Sequence, residues 1–128
     1  MTDPVWVLQE TILPLHEQLL AQFGGSPGIR DEGLLASAVA RPQNLFAYDK
    51  PTAFDLASSY GFGLIKNHAF VDGNKRCAFA VAVLFLELNG YRFEAAEADA
   101  TVQTLALAAS AISESDYAGW LESNSRKV

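Results

Sequence analysis

Apolar residues recur at helical spacing along nearly the whole chain, and this periodicity restricts the possible folds more than any other feature. The first apolar helix face consists of Ile12, Leu13, His16, Leu19, Leu20 and Phe23. The sequence contains no convincing run of alternating apolar and polar residues that would indicate a sheet. The pattern therefore predicts an all-α fold, a helical bundle of about six helices.

Breaker residues divide the pattern into separate helices. Gly24 and Gly25 end the first helix, and Asp31 is a plausible N-cap for a second helix that runs from Glu32 to about Ala40. The second helix is expected to stop at Arg41-Pro42, because a residue before proline avoids the helical region. Residues 43–51 are then predicted to form an extended loop or a short hairpin.

Capping boxes mark the starts of two later helices. Thr52 with Asp55 opens a third helix that reaches about His68, and Ser113 with Asp116 opens the last one. Two further helices are predicted between them, from Asn74 to Leu88 and from about Glu97 to Ile112.

Length and charge narrow the classes of protein to which the chain can belong. Its 128 residues, half of them hydrophobic, fit one domain spanning residues 1–128. Nine basic residues against fifteen acidic ones give a net charge of −6, which argues against general nucleic-acid binding. No apolar run reaches the roughly 20 residues that a membrane-spanning helix requires.

A single cysteine excludes a disulfide framework and fits a reducing compartment. The first ten residues lack the basic and apolar segments of a signal peptide. These features predict a cytoplasmic protein with no membrane association. Cys77 itself lies on an apolar helix face and is expected to be a buried, inert thiol, as His16 is expected to be a core histidine.

Residues 66–76 hold a third of the basic residues in an otherwise acidic chain: Lys66, Lys75 and Arg76. A tight turn is predicted before the helix that begins near Asn74, and a helix N-terminus beside a glycine, here Gly73, is a ready anion site. Cations in a first helical turn oppose the helix dipole, and a bound phosphate group would remove that conflict. The pattern therefore predicts phosphate binding by Gly73, Asn74, Lys75 and Arg76.

Two more side chains give this turn the chemistry of a phosphate-transfer site. His68 is a candidate general base, because an imidazole accepts protons near neutral pH. Asp72 is a candidate ligand for Mg²⁺, which prefers carboxylate oxygens. The competing interpretations are structural: His68 capping a helix end, Arg76 paired with Asp72, and Lys75 as an ordinary surface residue. A metal nuclease is disfavoured, because no second acid stands near Asp72.

The run His68-Ala69-Phe70-Val71-Asp72-Gly73-Asn74-Lys75-Arg76 resembles the Fic/Doc motif, H-x-F-x-(D/E)-(G/A)-N-x-R, at every defined position. Upstream segments resemble the Doc (death-on-curing) branch: Leu15-His16-Glu17, Phe23-Gly24-Gly25, Gly28-Ile29-Arg30-Asp31 and Arg41-Pro42. The resemblance extends to about Phe93. It implies a Fic-like helical bundle whose motif loop, between two central helices, binds ATP and Mg²⁺.

Two positions separate the branches of this family. Fic enzymes that transfer AMP have a glycine where this chain has Lys75, and a second arginine where it has Phe79. Both replacements resemble Doc, a kinase that phosphorylates elongation factor Tu and is held by a small antitoxin of the Phd kind. The resemblance therefore implies a toxin kinase whose loop at residues 43–51 docks the target. AMP transfer, or a non-catalytic nucleotide-binding module, remains the alternative.

Overall fold

The computed structural model describes residues 3–128, which form six helices and one small sheet. The helices are α1 (Gln9–Phe23), α2 (Glu32–Tyr48), α3 (Ala53–Asn67), α4 (Asn74–Leu88), α5 (Glu97–Ala108) and α6 (Glu114–Ser123). The strands are β1 (Tyr91–Phe93) and β2 (Ser125–Lys127). The predicted bundle of six helices is confirmed. Within residues 3–128, no helix combines the length and the apolarity needed to cross a membrane.

Helix α3 lies at the centre of the bundle, in contact with α2, α4, α5 and α6. Small residues allow its neighbours to approach closely: a Cβ atom on Gly63 would lie 3.3 Å from the Cα atom of Ala38 in α2. The predicted capping box holds its N-terminus, because Thr52 Oγ1 accepts from Asp55 N and Asp55 Oδ2 accepts from Thr52 N. The C-terminus of this buried helix leads directly into the turn that carries the motif.

Helix α2 is longer than the sequence predicts. It does not stop at Arg41-Pro42 but continues to Tyr48, so residues 43–48 are helical rather than a loop or hairpin. A proline inside a helix costs about 3 kcal/mol or more, and packing offsets that cost here. Pro42 is buried, and Arg41 donates to Glu114 of α6 at 2.6 and 2.7 Å, while Leu45 packs against the core.

The small sheet is the second departure from the all-α prediction. Strands β1 and β2 pair antiparallel, with Arg92 opposite Arg126. Three residues per strand are too few to show an alternating pattern. The third departure is that α5 ends at Ala108, before the predicted Ile112, and Ser110 beyond it has a positive φ of 61°.

Candidate active site at the start of α4

The predicted motif turn connects α3 to α4, the two central helices of the bundle. His68 follows the last residue of α3 and adopts the left-handed conformation, with φ 49° and ψ 52°. Gly73 precedes α4 with φ 76°. A positive φ favours glycine here, although a Cβ atom would make only ordinary contacts, 3.4 Å from Leu20 and 3.5 Å from the His16 ring.

His16 of α1 packs against the motif turn and hydrogen-bonds to it. Its ring is 3% exposed, stacks on Phe70 with the centroids 3.8 Å apart, and its Nε2 donates to the Asp72 carbonyl oxygen at 2.7 Å. The prediction of a buried histidine is confirmed. Sequence analysis missed that this histidine holds the motif turn, because the contact joins residues 56 positions apart.

The side chain of Asn74 also holds the turn. Asn74 is 6% exposed, its Oδ1 accepts from Phe70 N at 3.0 Å, and its Nδ2 donates to Phe70 O at 2.9 Å. The amide is thus engaged with the main chain of the turn. A phosphate contact by Asn74, as the sequence predicts, would therefore have to use its backbone N–H.

The segment of residues 28–31 lies alongside the turn as an antiparallel partner. Ile29 pairs with Phe70, and Arg30 N donates to Ala69 O at 2.7 Å. The Arg30 guanidinium reaches further and donates to His68 O at 2.6 Å and to Asn67 O at 2.8 Å. A cation thus bonds the terminal carbonyls of α3, where the helix dipole is negative, and holds the backbone of His68.

Replacing Arg30 with glutamine is expected to lower stability modestly, by about 1 kcal/mol, because charge-assisted bonds to main-chain carbonyls are lost at an exposed site. Chemical denaturation monitored by circular dichroism measures the change. Arg126→Gln is the matched control, since Arg126 lies in β2 and its one ion pair within residues 3–128 is a loose 3.9 Å contact with Glu94. Equal stability of Arg30→Gln and the wild type would show that the hydrogen bonds from Arg30 to the carbonyls of α3 do not stabilise the fold.

Asp72 is exposed, and its carboxylate accepts two backbone hydrogen bonds. Ser26 N donates to Oδ2 at 3.1 Å and Gly73 N donates to Oδ1 at 2.8 Å. These bonds, from Ser26 first and Gly73 second, lower the pKa of Asp72. The carboxylate is therefore ionised at neutral pH, and each oxygen keeps a further lone pair for a cation. The Gly73 N–H, predicted as a phosphate donor, bonds Asp72 instead in this conformation.

The N-terminus of α4 presents its positive end to the site. The first hydrogen bond of the helix runs from Cys77 N to Gly73 O, so the N–H groups of residues 74–76 precede the helical ladder. Lys75 and Arg76 are exposed, and within residues 3–128 neither side chain forms an ion pair or hydrogen bond. Arg76 therefore does not pair with Asp72 at salt-bridge distance, which removes one of the structural interpretations.

A cavity of about 820 Å³ opens between the motif turn, α4 and α5. His68, Asp72, Gly73, Asn74, Lys75 and Arg76 all line it. The rest of the lining is mostly apolar but includes one acid and two threonines: Leu19, Phe23, Phe79, Ala80, Val83, Ala95, Glu97, Ala100, Thr101, Thr104 and Leu105. The six predicted site residues thus line one cavity together, and their catalytic roles remain predictions.

Phe79 stands one turn after Arg76 and belongs to an aromatic cluster. Its ring lies 5.7 Å from that of Phe93 and 6.2 Å from that of Trp120, measured between centroids. The cavity wall is therefore aromatic at the position where the resemblance expects a second arginine in AMP-transferring relatives.

Cys77, one turn into α4, is not a candidate nucleophile. It is fully buried, and burial raises the pKa of its thiol to about 12. A thiol that stays protonated at neutral pH neither attacks nor binds metal readily, so the prediction of an inert cysteine is confirmed.

Comparison with known proteins identifies the family to which the chain belongs. The family model described as the Fic/DOC family matches residues 6–86, more than half of the chain. This chain belongs to the Fic/DOC family. The membership confirms the resemblance seen in the motif, and the matched region contains the whole motif turn together with α1, α2, α3 and most of α4.

Two relatives within this family carry the name Doc. The protein named Toxin Doc from Mycolicibacterium smegmatis is 48% identical over 75 residues, which cover 57% of this chain and 58% of that protein. The protein named Protein kinase doc from Escherichia phage P1 is 36% identical over 96 residues, 73% of this chain and 76% of that protein. The chain thus spans less than two thirds of the first relative and three quarters of the second.

Proposed function

We propose that this Fic/DOC-family chain is a Doc-like toxin that transfers a phosphoryl group from ATP to a hydroxyl group of a protein. The observation that carries the proposal is the convergence on one cavity of an exposed imidazole, His68, with two cations, Lys75 and Arg76, that have no anionic partner within residues 3–128. A base beside two such cations suits the transfer of a negatively charged group to a neutral acceptor.

The residues present fit ATP and Mg²⁺. The cavity of about 820 Å³ lies within the range of small-molecule sites, roughly 300–1,000 Å³. Residues 3–128 contain no cluster of three or more potential metal ligands, but Mg²⁺ is commonly held by one or two carboxylates together with substrate phosphates. Asp72 would be the protein ligand. Mg²⁺, when bound there, would neutralise negative charge on the phosphates.

The chemistry then follows from positions within the cavity. His68 accepts the proton of the acceptor hydroxyl, whose oxygen forms a bond to the γ-phosphorus of ATP. The bond between that phosphorus and the bridging oxygen breaks, and ADP leaves with the electron pair. Lys75, Arg76 and the helix N-terminus stabilise the charge on the transferred group, which is most of what such a reaction requires. Because His68 is exposed, a macromolecular hydroxyl can reach it.

Two features favour phosphoryl transfer over AMP transfer. Lys75 adds a point charge at the motif turn, and Phe79 gives an aromatic wall where AMP transfer would call for another cation. The positive charge of the site is thus concentrated at Lys75 and Arg76, where it can stabilise the terminal phosphate of ATP. AMP transfer and non-catalytic nucleotide binding are the outcomes that the experiment below distinguishes from this proposal.

The same proposal extends to partners. The relatives are named as a toxin and as a protein kinase, which supports a toxin–antitoxin role and a protein substrate for this chain. Elongation factor Tu is the proposed substrate and a Phd-like protein the proposed antitoxin, with translation as the process that is blocked. The net charge of −6 gives the surface outside the site an attraction for a basic antitoxin segment.

Labelled ATP tests the reaction directly. The purified chain is incubated with Mg²⁺ and elongation factor Tu, or with a bacterial extract, and with ATP labelled at either the γ or the α phosphate. We expect the protein substrate to acquire γ label and no α label. Transfer of α label would support AMP transfer instead. Binding of ATP without transfer of either label would contradict both enzymatic functions and leave the non-catalytic module.

A further inference from the structure

Phe23 lies against the guanidinium of Arg76, one of the two cations of the site. Arg76 Cζ is 4.4 Å from the centre of the Phe23 ring, within the range of a cation–π interaction. Both residues line the cavity, although Phe23 is the last residue of α1 and Arg76 belongs to the first turn of α4.

Core packing does not account for this phenylalanine. Phe23 is 46% exposed, and it belongs neither to the buried core of residues 3–128 nor to the partly buried apolar residues that pack against that core. The chain turns away directly after it, since Gly24 ends α1 with a φ of 85°. The ring is thus held at the rim of the cavity by the end of α1.

The contact with Phe23 leaves Arg76 able to bind an anion. A guanidinium group carries five N–H donors, and none of those of Arg76 is hydrogen-bonded within residues 3–128. Within residues 3–128 no hydrogen bond or ion pair restrains the guanidinium, so Phe23 is its restraint. Holding a long side chain in advance reduces the conformational entropy lost when a ligand binds.

We propose that Phe23 is a positioning residue, whose ring makes a cation–π contact with Arg76 and holds its guanidinium ready for a phosphate group. This inference rests on the proposed function, because it assigns a device for binding the phosphates of ATP. It differs from a direct contact between the Phe23 ring and the nucleotide base, which the same exposed position would also allow.

A double-mutant cycle separates these two roles. ATP affinity is measured by calorimetry with Mg²⁺ for the wild type, Phe23→Leu, Phe23→Tyr, Arg76→Gln and the double variant Phe23→Leu/Arg76→Gln. We expect Phe23→Leu to weaken binding about two- to fivefold, and Phe23→Tyr to bind like the wild type because it keeps the π face. In the Arg76→Gln background, Phe23→Leu is expected to have no further effect.

Equal weakening by Phe23→Leu in both backgrounds would overturn the inference in favour of direct contact with ATP, as would wild-type affinity of Phe23→Leu. A second measurement needs no nucleotide: the mobility of the Arg76 Nε–H group by ¹⁵N relaxation. We expect it to rise in Phe23→Leu and to stay unchanged in Phe23→Tyr, and an unchanged value in both would also overturn the inference. Failure of the wild type to bind ATP would instead contradict the proposed function.

Discussion

His68→Ala is expected to slow phosphoryl transfer by about 10²–10⁴-fold while leaving the affinity for ATP within about twofold of the wild type. The imidazole is exposed at the cavity and lies outside the core, so its loss removes a base without creating an internal void. General-base catalysis contributes about 10²–10⁴-fold to a reaction rate, which is the size of the expected fall. The groups proposed to bind phosphate, Lys75, Arg76 and the N-terminus of α4, are untouched.

The measurement is γ-label transfer under single-turnover conditions, with ATP affinity determined separately by calorimetry. Glu87→Ala is the matched control, because this residue is also exposed but lies near the far end of α4 and outside the cavity. In growing bacteria, expression of the wild type and of Glu87→Ala is expected to be toxic, and expression of His68→Ala harmless. Wild-type transfer by His68→Ala would show that another group accepts the proton.

Much of this architecture could be predicted because its determinants are local. The capping boxes of Thr52 with Asp55 and of Ser113 with Asp116 form as expected, since each joins residues three positions apart. The motif turn was also predictable, because a glycine and a run of polar residues interrupt two helical patterns there.

Features that depend on distant residues could not be predicted in this way. The end of α2 is a clear case. The local rule for a residue before proline fails here, where Arg41 bonds Glu114, 73 positions away, and Pro42 is buried. The pairing of β1 with β2 depends in the same way on two short segments that meet only in the folded chain.

The same division applies to the site. The motif predicts which residues lie at the cavity, but it does not predict which of them face the cavity and which hold the turn in place. His16 and Arg30 hold the turn through contacts spanning 56 and 38 positions, which no local pattern reveals. Asn74 shows the limit most clearly, since its place in the motif suggests a ligand contact while its amide bonds the turn itself.

Asn74→Ala is therefore expected to destabilise the fold, by about 2–4 kcal/mol, because it leaves the buried N–H and C=O groups of Phe70 without partners. Denaturant unfolding followed by circular dichroism measures the loss. Asn89→Ala provides a comparison, since the Asn89 amide also bonds both backbone groups of one residue, the exposed Val5, while its Nδ2 donates in addition to Phe85 O at 2.7 Å. Water can replace the bonds to Val5, and Phe85 O keeps its bond from Asn89 N. The loss of stability in Asn89→Ala is therefore expected to be about 1 kcal/mol or less.

The difference between the two asparagine variants also bears on function. If the Asn74 amide holds the turn, Asn74→Ala displaces both His68 and Asp72 and lowers γ-label transfer even at temperatures where the variant is folded. Asn89→Ala is expected to transfer label at the wild-type rate, because Asn89 lies at the opposite end of α4. Equal losses of stability in the two variants, or full activity of folded Asn74→Ala, would show that the turn keeps its shape without this amide.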